Sequence, residues 1–254
     1  GKVQHLFRYS LDGGGGPVDL TPDLKHDALT FWLASMGREF DVSPDGRWVY
    51  FSGNQDTDQA VSYDYQIYRV PATGGPVELL TDNPAADMLP RVSPDGATLA
   101  WRASRRPGYE SDRYELMVRP VRGGEPRSLT ADLDRTVSEI FWGPDGKTLY
   151  FGAEDQGDVN LYKVRVEGGA ITPVLDGEKT GRGYHVATRM APDGEFFVYM
   201  YRTIDRYYEI HRADGRGRNP RPLTRINAEL YRTYHFPTAE DVWFEGAEGA
   251  KVHG

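Results

Sequence analysis

Apolar residues in this chain fall in short runs separated by turn residues, and nowhere do they hold a 3.6-residue helical period for long. The runs recur in a fixed order. One set is Trp48-Val49-Tyr50-Phe51, Thr98-Leu99-Ala100-Trp101, Thr148-Leu149-Tyr150-Phe151 and Phe196-Phe197-Val198-Tyr199-Met200. Each follows a Pro-Asp-Gly turn, and an apolar run such as Glu139-Ile140-Phe141-Trp142 comes before that turn. A later set is Gln66–Val70, Glu115–Val118, Asn160–Val164 and Tyr208–His211, ended by Gly74-Gly75, Gly123-Gly124, Gly168-Gly169 and Asp214-Gly215. Short closing runs follow, such as Pro126–Thr130 and Pro220–Thr224.

Pro44, Pro94, Pro144 and Pro192 mark the turns, at offsets of 50, 50 and 48 residues. In each turn proline presets φ and glycine accepts a positive φ without a Cβ clash. Each unit therefore reads as four short strands rich in aromatic and β-branched residues. Four antiparallel strands every ~40–50 residues make the blade of a β-propeller. Helical repeats of that length would be broken by Gly-Gly and Pro-Asp-Gly.

The predicted class is thus all-β, a β-propeller of four-stranded antiparallel blades. Four complete blades lie between about Ala28 and Thr224. A partial blade at the N-terminus comprises His5–Leu11, the Gly13–Gly16 turn and Val18–Thr21, read as third strand, turn and fourth strand. No helix follows that glycine run, which excludes a dinucleotide loop. Past the last unit, Glu240–Glu245 reads as a strand, Gly246–Gly249 as a hairpin turn and Lys251–Gly254 as the return. Two arrangements compete for these ends: pairing of terminal half-blades into a five-bladed ring, or a piece of a longer polypeptide. The second is favoured, because an open edge exposes unpaired backbone groups and needs a neighbour.

Composition narrows the function. The net charge of −8 argues against a nucleic-acid binder, and clusters such as Arg212–Arg221 read as solvated turns. With no cysteine there is neither a disulfide nor a thiolate metal site, and either cytoplasm or periplasm fits. No run of about 20 apolar residues predicts a membrane-spanning helix. The chain lacks Gly-x-Ser-x-Gly, His-Glu-x-x-His and the phosphate-binding Gly-x-x-x-x-Gly-Lys pattern, so no catalytic set is expected in it. Among six histidines, His185 and His235 are placed on innermost strands, but neither has a second ligand at metal spacing. No metal and no cofactor is expected.

In such a blade the first and third turns share one face, and the second loop and the link to the next blade share the other. Here the first and third turns are short punctuation, so chemistry is expected on the second-loop face. Two second loops are long: Ser52–Tyr65, with Asn54, Asp56, Asp58, Tyr63, Asp64 and Tyr65, and Arg102–Tyr114. The link Asp132–Thr136 enters the same face. The candidate substrate-binding residues are Arg105, Arg106, Tyr109, Glu110, Asp112, Arg113, Asp134 and Arg135. Clustered carboxylates suit a substrate ammonium, and arginines suit a carboxylate or carbonyl. The competing reading is a set of surface ion pairs of little energetic weight.

These residues carry a resemblance. The repeated Ser-Pro-Asp-Gly, shared with TolB-type propellers, together with Arg106–Arg113 and Asp132–Val137, resembles the propeller of the prolyl oligopeptidase family of serine peptidases, in its dipeptidyl-peptidase V and acylaminoacyl-peptidase branch. Ala239–Gly254 resembles the hairpin that begins the α/β-hydrolase domain of these enzymes. The resemblance implies a propeller over residues 1–236 and, at 237–254, the first strands of a hydrolase domain absent from this chain. It also implies a parent whose propeller gates a Ser-His-Asp site and admits short peptides, with that C-terminal hydrolase domain as partner. Homo-oligomerisation is left open, and such propellers usually have more than four blades. Two alternatives are a stand-alone TolB-type binding module and a carbohydrate lyase, the latter needing a histidine–carboxylate metal cluster.

Overall fold

The computed structural model describes residues 3–28, 39–58, 61–238 and 240–254, so part of the lead-in to the first full blade, part of the Ser52–Tyr65 loop and Ala239 fall outside it. Four blades are present among the described residues. Blade I contains β3 (Phe40–Val42), β4 (Trp48–Gly53), β5 (Gln66–Pro71) and β6 (Glu78–Leu79). Blade II contains β7 (Asp87–Val92), β8 (Thr98–Ala103), β9 (Glu115–Pro120) and β10 (Arg127–Ser128). Blade III contains β11 (Val137–Trp142), β12 (Thr148–Asp155), β13 (Asp158–Arg165) and β14 (Thr172–Leu175). Blade IV contains β15 (Tyr184–Met190), β16 (Phe196–Thr203), β17 (Arg206–Asp214) and β18 (Arg221–Pro222). Every blade is an antiparallel meander in sequence order. Ahead of them β1 (Phe7–Arg8) pairs with β2 (Val18–Asp19), and at the end β19 (Trp243–Glu245) pairs with β20 (Lys251–His253). The two terminal sheets do not pair with each other, so no strand exchange closes a ring among the described residues.

Side-chain alternation explains how the blades stack. Successive residues of a strand point to opposite faces, and each face packs on a neighbour. Leu99 and Trp101 join Tyr50 and Ile67 of blade I, whereas Ala100 joins Leu149 and Phe151 of blade III. Leu161 and Leu175 of blade III meet Phe197 and Tyr199 of blade IV. The β1–β2 pair brings Leu6 and Leu20 onto Val49, Phe51 and Val70. Each junction thus has its own core.

Two local devices repeat. In the Pro-Asp-Gly turns, Asp45, Asp95, Asp145 and Asp193 each accept the amide two residues on, at 3.0, 3.0, 3.0 and 2.9 Å. The second device is a threonine ending the fourth strand, whose hydroxyl accepts a third-strand amide: Leu6 to Thr21 at 3.0 Å, Ile67 to Thr81 at 2.9 Å, Leu116 to Thr130 at 2.8 Å and Ile210 to Thr224 at 2.9 Å. Its presence at Thr21 identifies β1–β2 as the outer half of the same unit. The turns also nest, since Gly96, Gly146 and Gly194 lie against Pro44, Pro94 and Pro144 of the preceding blade.

Two expectations change. His185 is on β15, but His235 is exposed in the segment after α1 (Ala228–Thr233), not on an inner strand. That helix was not anticipated, because six residues are too few to establish a period. No group of three histidine or carboxylate side chains suited to a metal occurs among the described residues.

Blades III and IV share a parallel bridge between Val159 and Tyr184. Beside it, His185 is fully buried, with Nδ1–H donating to the Val159 carbonyl at 2.9 Å and Nε2 lying 2.7 Å from the Thr180 hydroxyl. Burial pulls its imidazole below the ordinary 6.5, against the opposing hydrogen bond to Val159. The unfolded chain therefore takes up this proton first as pH falls. The stability that His185 contributes is complete above about pH 6.5 and is lost as pH drops below that value. Asp87, pushed up to about 6 by burial, works in the opposite sense over pH 4–6, so variant and parent must be compared. His185→Asn should flatten the fall in urea-unfolding stability between pH 7 and 5, and an unchanged slope would assign that fall to other groups. Gly194 combines φ of +76° with a would-be Cβ contact of 3.3 Å to Pro144 Cγ. Gly194→Ala should cost about 1–2 kcal/mol, measurable as a lower denaturation midpoint. Gly123→Ala has open space, so only the positive-φ strain should register there.

Candidate functional site

The loop between β8 and β9 starts from a well-ordered frame. Asp112 accepts the amides of Arg105 and Arg106, both at 2.8 Å. Burial would raise its pKa, but these amides outweigh that and hold the carboxyl below the usual range. The carboxylate is therefore committed to shaping the loop. At the loop's end, Glu115 is buried, and Arg105 grips it in a two-point contact, Nε to Oε1 at 2.7 Å and Nη2 to Oε2 at 2.8 Å. Arg113 reaches the same Oε1 at 2.8 Å. The Arg113 guanidinium also donates to the Leu133 carbonyl and, at 3.1 Å, to that of Ala131. One arginine thereby ties the second loop of blade II to the link entering blade III.

The predicted residues divide by this arrangement. Arg105, Arg106, Asp112 and Arg113 converge around the loop, with Asp112 and Glu115 as acceptors. Arg135 turns to blade III, where it meets Asp155 at 2.8 Å. Glu110 and Asp134 are exposed and form no salt bridge among the described residues. Tyr109 is half exposed, and the Arg106 guanidinium lies over its ring at 5.4 Å. Tyr109, Glu110 and Asp134 therefore present polar groups to solvent, as does the exposed Arg106 although its Nε lies 3.9 Å from Asp112, while Arg113 and Asp112 hold the scaffold. Glu115 was missed by the sequence reading. Its position at the start of an apolar run, two residues from Arg113, was the available signal.

The second loop of blade I joins the same face. Tyr114 donates to the Tyr63 hydroxyl at 3.2 Å, and Tyr63 packs edge-on to Tyr65 at 5.4 Å. These rings cover Ala86 and Met88. Burial, then Tyr63 and nearby carboxylates including Glu110, hold the Tyr65 hydroxyl above its usual range.

The terminal hairpin is fastened to this face as well. Arg182, in the link between blades III and IV, bridges Asp158 at 2.9 Å and Asp241. His253 stacks on Trp243 at 4.4 Å and bonds Asp241 at 3.0 Å. Asp241 is held low by the hydrogen bonds of Arg182 and then His253.

Replacing Glu115 with Ala leaves Arg113 and Arg105 without their shared acceptor. Arg105 is largely exposed, so most of the cost falls on Arg113. Glu115→Ala should lose about 2 kcal/mol, and Arg105→Ala under about 1 kcal/mol. Equal losses in urea unfolding would mean that Glu115 is not the organising group.

No family model matches the chain. In sequence it is 31% identical over 143 residues to dipeptidyl-peptidase 5 of Porphyromonas gingivalis, covering 55% of this chain and 21% of that protein. It is 30% identical over 168 residues to dipeptidyl-peptidase 5 of Aspergillus fumigatus, covering 61% and 23%. The chain thus spans under a quarter of the length of these curated relatives. Among solved structures, acylaminoacyl peptidase of Pyrococcus horikoshii aligns with a TM-score of 0.64 at 19% identity, over 84% of this chain and 31% of the other. TolB of Acinetobacter baumannii gives 0.54 at 17%, over 73% and 43%. The β-propeller domain of the trilobed protease of Pyrococcus furiosus gives 0.51 at 21%, over 72% and 50%. These structural likenesses show the fold.

Proposed function

We propose, on the premise that this chain is a propeller homologous to the dipeptidyl-peptidase 5 proteins of the prolyl oligopeptidase family, that it is the gating and substrate-selecting part of a serine peptidase acting on short peptides. The observation that carries this reading is the 31% identity to dipeptidyl-peptidase 5. The docking of the β19–β20 hairpin supports it. Through Arg182 the chain's last strands lie on the face that carries Arg106, Tyr109 and Glu110. A hydrolase domain continuing from this hairpin would cover the second-loop face and close a chamber against it. The Ser-His-Asp residues would belong to that domain, and the boundary would fall near 237. Neighbouring blades of the parent would cover the outer apolar faces, where Phe7, Tyr9, Met200 and Ile210 are exposed.

Within this reading Glu110 is the free carboxylate for a substrate ammonium, and Arg106 and Tyr109 flank it. Asp112 supports them by holding the loop. The second reading, a TolB-type binding module, rests on the shared propeller fold.

Fluorophosphonate labelling of the source polypeptide, read by intact mass, separates the two. A labelled species much heavier than 28.6 kDa is expected. An unlabelled polypeptide of about this mass would remove the peptidase reading. In the full-length protein, Glu110→Gln should raise KM for peptides with a free amino terminus by about tenfold and leave acylated peptides within about twofold. An equal response from both substrates would show that Glu110 does not read the amine. Asp112→Ala is unsuitable for this purpose, because it would release the loop itself.

A further inference from the structure

Adjoining the second-loop site, with which it shares Arg105 and Glu115, a crevice of about 520 Å³ is bounded by the link out of blade I and by β8, β9 and the β9–β10 turn of blade II. Its volume is that of a small-molecule site. Two oppositely charged groups line it without pairing. Arg119, on β9, is half buried and makes no hydrogen bond or salt bridge among the described residues, and its Nε is shut off from solvent with no acceptor. Asp87, on β7, is 2% exposed. One of its oxygens accepts from Asn83 Nδ2 at 3.0 Å, and the Thr81 hydroxyl lies close enough to favour the ionised carboxylate. Asn83 is itself pinned to the Ser104 carbonyl at 2.9 Å, which fixes the carboxylate's orientation. The Trp101 indole N–H, also buried, lies beside Asp87 without reaching hydrogen-bond geometry.

Both charges are costly as they stand. Burial lowers the Arg119 pKa, with Asp87 only partly offsetting it, and burial pushes the Asp87 carboxyl up to about 6. Native chains rarely retain buried charged groups without partners, and an unpaired one calls for a ligand or a role. The other acidic groups do not supply the partner. Glu115 is already held by Arg105 and Arg113, while Asp82 in the link and Glu125 in the β9–β10 turn are exposed and form no salt bridge among the described residues. A bare anion would meet Asp87, and a bare cation would meet Arg119. A molecule carrying both charges satisfies each.

We propose that this crevice binds a small zwitterion of the α-amino acid or dipeptide class, its ammonium on Asp87, its carboxylate on the Arg119 guanidinium and its aliphatic part against Trp101 and Met117. The crevice's own charges set this preference, whether or not the parent is a peptidase.

Calorimetric titration of the chain with glycyl-L-leucine tests it, beside N-acetyl-glycyl-L-leucine, glycyl-L-leucinamide and free L-leucine. The dipeptide or the amino acid should bind, the tighter of the two identifying the class. Each blocked dipeptide should bind at least about tenfold more weakly than the free one. Arg119→Gln should abolish discrimination against the amide and keep that against the acetyl form, and Asp87→Asn should do the reverse. A merely structural role would not produce this exchange of preferences. Near-UV circular dichroism establishes that both variants are folded. If one is not, the parent protein's response to the blocked ligands and the remaining variant still decide the matter. Absence of binding at millimolar ligand, equal binding of the blocked forms, or variants that retain both preferences would overturn the proposal.

Discussion

A blade of this molecule has two apolar faces and can bury them only against other blades. That constraint governs the rest. Leu99 and Trp101 look toward one neighbour while Ala100 looks toward the other, so no blade has a core it could keep in isolation. Polar contacts follow the same spacing. Asp41 accepts the Val92 amide at 2.8 Å, and the Trp142 indole donates to the Arg91 carbonyl at 3.1 Å, each joining residues 51 positions apart. The repeat length in the sequence is therefore the distance in the chain between groups that touch.

The second-loop face inherits its order from these junctions. The loop of blade II needs Asp112 to gather its amides and Glu115 to hold two guanidiniums. Arg113 then passes the constraint to the link before blade III. Groups spent in this way are unavailable to a ligand, and those left in solvent, such as Glu110 and Arg106, are positioned by them. Surface ion pairs contribute little energy on average, but here their value is orientation.

Much of the fold was legible because its signals are local. Pro-Asp-Gly and Gly-Gly encode backbone conformations that few other residues adopt, and their 50-residue spacing exposes the unit directly. The threonine of Leu20-Thr21, Leu80-Thr81 and Leu129-Thr130 was visible as sequence, but its role was not, since the amide it receives lies 14 or 15 residues away. The site was half legible for the same reason. Arg113 and Asp112 announce charge, but whether a charge is spent on a carbonyl or left free depends on where the next blade's link passes. Arg119 and Asp87 gave no motif at all. Their significance comes from burial without a salt-bridge partner, which only the packed structure reveals.

The bridge between Val159 and Tyr184 has a consequence for motion. It joins blades III and IV into one continuous eight-stranded sheet, whose β12–β13 and β16–β17 hairpins are also the longest among the described residues. Backbone opening at this bridge therefore involves both blades, which ties their local fluctuations together.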